Sequence, residues 1–339
     1  CVLPAGLGQA PARQAAMGAG IPSESGATTI NKMCGSGMKS IMFGHDSIKA
    51  QQNNIVVAGG LENMTNAPYI LSKARKGFRM GHADVKDHMF LDGLEDAYEE
   101  GKLMGSFAED TAEHYQFTRE QQDNFAITSL ERAKKANEDG TFESEIVPIK
   151  VLNRKNEIII NKDEQPFKSD ITKIPTLRPA FRKNGTVTAA NSSSISDGAS
   201  SVILMLESEA QKRGIKPLAR IIDHSTNSQE PKWFTTAPIG AIEKVLEKSG
   251  WKKTDVDLFE VNEAFAVVPM AVMKDIGISN DILNIYGGAC ALGHPVGASG
   301  ARIVTTLINA LKKNNLNKGV ASLCIGGGEA TALTLEIIN

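Results

Sequence analysis

Four residues in this chain have the chemistry and the setting to carry an acyl group. Cys34 lies in Thr28 to Met42, TTINKMCGSGMKSIM, after a short apolar run (Ile30, Met33) and directly before Gly35-Ser36-Gly37. Met38, Ile41, Met42 and Ile48 then recur at helical spacing. Strand, tight turn and helix would show a thiol at an exposed kink, with the helix N–H groups and positive dipole end aimed at the sulfur. That environment is expected to lower the thiol's pKa. The flanking glycines let a substrate carbonyl approach the backbone. Alone, the pattern fits a buried structural cysteine equally well. His294 sits in GGACALGHPVGASGAR, a glycine-dense loop fixed by Pro295, and Cys324 ends the run ASLC ahead of Gly326-Gly327-Gly328. Asn262 follows the strand-like Val256 to Val261. Singly, a loop histidine is usually solvated and a strand cysteine usually belongs to the core. Together the four supply what acyl transfer needs: a thiolate, a base to make it, donors for an oxyanion, and a second acid/base for an α-carbon. Metal ligation finds no local support, because there is no Cys-x-x-Cys and no histidine pair at ligand spacing.

The elements that must position these residues read as a layered α/β protein. Gln9 to Gly20 is an Ala-rich helix with Pro11 in its first turn. Ile55 to Ala58 (IVVA) is apolar throughout and stops at Gly59-Gly60, the mark of a strand buried on both faces of a parallel or mixed sheet. From about Tyr69 to Thr186 charged residues dominate. A Thr118-Arg119-Glu120-Gln121 capping box there opens a helix running to about Asn137, and strand-like runs flank the polar NRKN within Ile146 to Ile160. The stretch is either a solvated insertion or a ligand-binding loop region. A Gly/Ser/Asn turn region from Gly185 leads to a helix or strand at Val202 to Leu206. Pro238 to Ser249 is an amphipathic helix stopped by Gly250.

Two passages echo each other. CGSGMKSI leads through a helix to IVVAGG, and VGASGARI leads through a helix to ASLCIGGG. An internal duplication of one β/α layer accounts for this, with the two helix N-termini meeting across a pseudo-twofold axis.

Composition sets the outer bounds. The chain has 339 residues, 37 basic against 39 acidic, and a net charge of -2. Its length suggests two domains, and its balanced charge gives no field that would draw nucleic acid or an acidic membrane. Four cysteines do not make a disulfide framework, and no apolar run reaches transmembrane length. The expectation is a soluble globular protein with neither nucleic-acid nor membrane partners. Residue 1 is Cys and CVLPAGLGQAPARQAA reads as the inside of a domain, so a natural start further upstream is expected.

NKMCGSGMKS, VNEAFA, GHPVGASGAR and CIGGGEA, in this order, resemble the signature blocks of the thiolase family over essentially the whole chain. TTINKMC, VVAGGLENMTNAPY and GTVTAANSS are most similar to the family's biosynthetic, mitochondrial-type acetyl-CoA acetyltransferases. The resemblance implies an α/β thiolase fold of two duplicated α-β-α-β-α layered halves. Residues 1–68 and 69–215 would form a first half, incomplete at its start, with a loop domain at about 69–186; 216–339 would form the second. It implies reversible condensation of two acetyl-CoA to acetoacetyl-CoA and CoA, through an acyl-enzyme on Cys34. His294 would take the Cys34 proton, Cys324 would move the α-proton, and Asn262 would hold a water that helps stabilise the enolate. The backbone N–H groups of Cys34 and Gly326 would form the other oxyanion hole. No tightly bound cofactor is implied, only coenzyme A thioesters as substrates. A homodimer or homotetramer, a mitochondrial location and a place in lipid and ketone-body metabolism are implied as well.

Coenzyme A contacts carried over by the same resemblance are Ser193, Ala189, Phe265, Leu94 and Met104, with Lys168, Asp170 and Lys173 toward the nucleotide end. Three positions depart from the pattern. Leu103 stands where a histidine is usual, Leu130 where the potassium-dependent relatives have a tyrosine, and Cys290 falls in the potassium-lining loop. Ala189, Ala190, Ser192 and Cys290 would then make at best a potassium site short of a ligand. The alternatives are a 3-ketoacyl-CoA thiolase of broader chain length, and a catalytically impaired lipid-carrier or assembly relative. The latter should have lost one of Cys34, His294 or Cys324. A ketoacyl synthase would pair its cysteine with two histidines, which the cysteine of CIGGG argues against.

Overall fold

The computed structural model describes residues 1–153 and 156–338. Helix α1 (Pro11–Gly18) has Pro11 in its first turn. Helix α2 (Ser36–Lys49) buries Met38, Ile41, Met42 and Ile48, the helical repeat read from the sequence. Strand β1 (Ile55–Asn63) follows. The charged region holds two small antiparallel pairs, β2 (Tyr69–Ile70) with β3 (Lys86–Asp87) and β4 (Ile149–Asn153) with β5 (Asn156–Ile160). Arg154 and Lys155 of the NRKN stretch lie outside the described residues. Among these pairs run α3 (Met104–Tyr115), α4 (Arg119–Glu138) and the short α5 (Gln165–Lys168). The capping box of α4 forms: the Thr118 hydroxyl accepts from Gln121 N–H at 3.1 Å, and Thr118 N–H donates to the Gln121 side chain at 2.9 Å.

Strand β6 (Asp197–Met205) and helix α6 (Glu207–Lys212) lead to the second half. There β7 (Ala219–Ser228), α7 (Ala237–Ser249), β8 (Leu258–Val261), α8 (Val267–Val272), α9 (Ala289–Leu292), α10 (Val296–Lys313), β9 (Lys318–Ile325) and β10 (Glu329–Ile337) follow in order. Four strands form one sheet in the order β7-β10-β9-β8, antiparallel except for β8 beside β9. A second sheet pairs β1 with β6 antiparallel, from Ile55 opposite Met205 to Asn63 opposite Asp197. Helices α2 and α10 lie between the two sheets. Their apolar faces share one core, Met38 and Met42 with Ile303 and Leu307, closed by Ala58 on one side and by Leu258, Leu323 and Leu333 on the other. Helix α7 covers the far face of the four-stranded sheet through Ala241, Ile242 and Val245. No helix among the described residues is long and apolar enough to cross a membrane.

Strand β1 departs from its sequence reading in two ways. Ile55 and Val57 are exposed at 38% and 52%, so only the face carrying Val56 and Ala58 is packed. It also runs through Gly59-Gly60 to Asn63 instead of stopping there. The glycines answer a packing demand: a Cβ on Gly60 would stand 1.9 Å from Gly297 O, at the start of α10.

Candidate active site

Cys34 is half-buried at a bend. No regular strand leads into it, because Met33 takes a left-handed conformation (φ 49°) that breaks the extended run. Side chains hold this bend. Asn31 Oδ1 accepts from Met33 N–H at 2.9 Å. The Ser36 hydroxyl accepts from Lys32 N–H at 2.9 Å and donates to Met33 O at 2.7 Å. The Lys32 ammonium pairs with Glu329, whose other oxygen accepts from the Ser228 hydroxyl at 3.1 Å. Gly35 lies against the end of β9, where a Cβ would stand 2.4 Å from Ile325 Cδ1. The turn bearing one cysteine is thus pressed onto the strand bearing the other.

The Gly326 N–H and the N–H of Cys34 itself lie beside the Cys34 sulfur and favour its thiolate. Burial works the other way and wins, pushing the Cys34 thiol up to about 11, with the Glu62 carboxylate adding to the rise. The thiol is therefore raised where a lowering was expected: desolvation of the sulfur outweighs the two N–H groups. Cys324 is fully buried, and its thiol is pushed well up by burial and by the nearness of Cys34.

His294 and Asn262 come together from different elements. His294 lies just before α10, and Asn262 just after β8. Asn262 Nδ2 is 3.5 Å from His294 Nε2, both residues being buried. His294 Nδ1 is 2.5 Å from the Ser299 hydroxyl, which lies 3.0 Å from Pro295 O. Ser299 has one proton and gives it to that carbonyl, so its oxygen accepts from Nδ1–H. The other nitrogen, Nε2, is left with its lone pair. Burial, with the charge of Arg302, lowers the histidine to about 3, so the ring is a neutral imidazole. Ser299 was missed in the sequence, although it stands in the same GHPVGASGAR block.

A second missed residue is Glu62. Its buried carboxylate accepts from Val2 N–H at 2.9 Å, Leu3 N–H at 3.0 Å and Gly297 N–H at 2.9 Å, tying β1 to the start of α10. Nothing local in LEN marks it.

The ligand-contact candidates divide into two groups. Leu94 packs in one apolar cluster with Met33 and Cys34, and the Met104 sulfur would lie 3.6 Å from a Cβ on Gly326. Ser193 N–H donates to Ala264 O at 3.0 Å, and Phe265 is buried between the rings of Phe181 and Phe234. Leu103 precedes α3 as a half-buried residue, and Ala189 is exposed. Lys168, Asp170 and Lys173 are on the surface, away from the thiols: Lys168 lies 3.7 Å from Glu164, and Lys173 3.6 Å from Asp170, which caps Thr172 N–H. Of the potassium candidates, Ala190 packs with the buried Leu130 in a cluster with Ala133, Ile174 and Ala291. The Ser192 hydroxyl donates to Thr188 O at 2.7 Å, and Cys290 N–H to Glu263 at 3.1 Å.

A thiol at a bend with backbone N–H groups beside its sulfur and a second thiol near it, packed against Val296 two residues after a neutral imidazole, is the layout of a thioester-forming enzyme. Comparison with known proteins gives the family. The model of the thiolase N-terminal domain matches residues 1–208, and that of the thiolase C-terminal domain residues 215–337. A probable acetyl-CoA acetyltransferase of Dictyostelium discoideum is 51% identical over 336 residues, 99% of this chain and 81% of its own length. Acetyl-CoA acetyltransferase 2 of Arabidopsis thaliana is 50% identical over 340 residues, 99% of this chain and 84% of its own. Among solved structures, the Acat5 thiolase of Ascaris suum in complex with coenzyme A superposes with a TM-score of 0.93 at 41% identity, covering 99% of this chain and 86% of that one. The chain belongs to the thiolase family.

Proposed function

We infer that this protein is an acetyl-CoA C-acetyltransferase, which condenses two acetyl-CoA to acetoacetyl-CoA and CoA and runs the reverse thiolysis. The family and the names of its relatives support the reaction. The observation that carries the residue roles is a neutral imidazole whose Nε2 is unprotonated and faces the Asn262 amide, with Nδ1–H held by Ser299. His294 Nε2 takes the Cys34 proton, and the thiolate attacks the acetyl carbonyl of the first acetyl-CoA. The N–H groups of Cys34 and Gly326 receive the oxyanion. A thiol with a pKa as high as that of Cys324 becomes a base only by first giving up its proton. Protonating the departing CoA sulfur does this. The Cys324 thiolate then removes an α-proton from the second acetyl-CoA, with His294 and Asn262 stabilising the enolate oxygen. The enolate carbon attacks the Cys34 thioester, and the released thiolate regains its proton from His294. Both cysteines and the histidine end as they began.

Leu94 and Met104 line the approach for the pantetheine arm; Ser193, Ala189 and Phe265 belong to the same approach, and Lys168, Asp170 and Lys173 to the nucleotide end. A homodimer or homotetramer, a mitochondrial location and a role in ketone-body metabolism rest on the likeness of the TTINKMC and GTVTAANSS blocks. Mass spectrometry after brief incubation with acetyl-CoA tests the central step: the acetyl group should sit on Cys34. Initial rates of thiolysis with acetoacetyl-CoA against longer 3-ketoacyl-CoA substrates test the specificity. Acetylation elsewhere, or faster turnover of the longer substrates, would count against this reading.

A further inference from the structure

Away from the thiols, His45 and Asp46 on α2 converge with His224 on β7. Asp46 Oδ1 lies 2.8 Å from His224 Nε2 and 3.2 Å from His45 Nδ1. The three ligand atoms fall within 4.8 Å of one another, and the two rings meet edge to face with centroids 5.1 Å apart. Both histidine side chains are mostly covered, at 15% and 13% exposure, while Asp46 is open at 57%. We propose that His45, Asp46 and His224 form a binding site for a divalent transition-metal ion of the zinc class, with solvent completing its coordination.

Two imidazoles and one carboxylate are a donor set that such ions favour over calcium or magnesium. The rings are held by different rigid elements, a helix and a strand, so little ordering is needed on binding. The open side of Asp46 leaves room for water ligands. The nitrogens now facing Asp46 become the ligands, and each ring keeps its proton on its other nitrogen. Strand β7 is fixed at this point, since His224 N–H donates to Asp223 Oδ1 at 2.7 Å and Lys248 donates to His224 O at 2.6 Å. No other group of three such ligands lies this close among the described residues. An ion here would bind α2, which starts beside Cys34, to the sheet of the second half, and so act as a clamp outside the reacting centre.

Cobalt(II) titrated into the full chain, with Cys34 first capped by iodoacetamide, tests this. The expected result is saturable binding with visible ligand-field bands, no thiolate-to-cobalt charge-transfer band, and displacement by zinc. His45→Gln, Asp46→Asn and His224→Gln should each weaken binding by at least about tenfold, the size of loss seen when a supporting group is removed from a metal site. The glutamine variants keep the bulk of the ring, and circular dichroism verifies that they fold. Zinc should raise the thermal midpoint of the parent protein and leave that of the folded variants unchanged. Absence of saturable binding, equal binding by the variants, or a charge-transfer band that puts the ion on a cysteine would each overturn the proposal.

Discussion

Gly37 and Gly300 stand in reciprocal contact across the two central helices. A Cβ on Gly37 would lie 2.6 Å from Ala301 N, and one on Gly300 would lie 2.4 Å from Met38 N. Each is the glycine of a serine-glycine pair, Ser36-Gly37 and Ser299-Gly300, so the two echoing passages meet backbone to backbone. Gly37→Ala and Gly300→Ala should each destabilise the protein by about 1–3 kcal/mol through overpacking. Urea unfolding would show this, and a change below about 0.5 kcal/mol would mean that the helices can part cheaply.

Cys34 and His294 should rest as thiol and imidazole, not as an ion pair. With the thiol at about 11 and the ring at about 3, the thiolate fraction at neutral pH is about one in ten thousand. Ultraviolet titration of Cys34 should stay flat through pH 8 and rise only in strong base. Iodoacetamide inactivation should grow steadily with pH over the same range, and acetyl-CoA should protect. A thiolate signal already present at pH 7 would contradict this. Cys34→Ser should lose thiolysis by several orders of magnitude, since a hydroxyl is a far weaker acid and nucleophile.

Cys324→Ala separates the two thiols. The variant should still accept an acetyl group from acetyl-CoA, more slowly, but should form no carbon–carbon bond. Exchange of solvent deuterium into acetyl-CoA should disappear with it. A variant that cannot be acetylated at all would place the nucleophile's role on Cys324.

Lys32 and Glu329 link the bend before Cys34 to the residue following the glycine run that begins at Gly326. Lys32→Met should lower kcat by about 10- to 100-fold with a small change in KM, because misplacing the N–H donors costs transition-state stabilisation. Glu329→Gln, which can still accept a hydrogen bond, should keep more of the rate. Equal, unaltered kinetics in both would leave the ion pair without a positioning role.

Leu130 offers no oxygen to a hard cation and is buried among Ala133, Ile174 and Ala291. Thiolysis of acetoacetyl-CoA should therefore respond little when potassium replaces sodium at constant ionic strength. A several-fold activation saturating at millimolar potassium would count against it.

The sequence carried the local devices well. The α2 period, the Thr118 capping box and the Gly250 stop each act within a few residues, and each formed as read. What failed depended on distant neighbours. Gly59-Gly60 looked like a strand end because the start of α10, which requires the glycines, is far along the chain. The Cys34 pKa was read from its helix, whereas burial by other segments decides it. His45 and His224 showed no ligand spacing because only the packing of α2 on β7 brings them together. The four reactive blocks were legible as motifs, but the role of Ser299 needed the orientation of one ring.

The shared core between the sheets has a consequence for how the molecule comes apart. Met38, Met42 and Ala58 of the first half and Ile303, Leu323 and Leu333 of the second belong to one continuous cluster. The face of each sheet that meets the two central helices has no core apart from the other's. Loss of either half would strip the other of the surface against which its central helix lies. The two central helices thus belong to a single cooperative unit in unfolding, and hydrogen exchange along α2 and α10 should report one common opening energy.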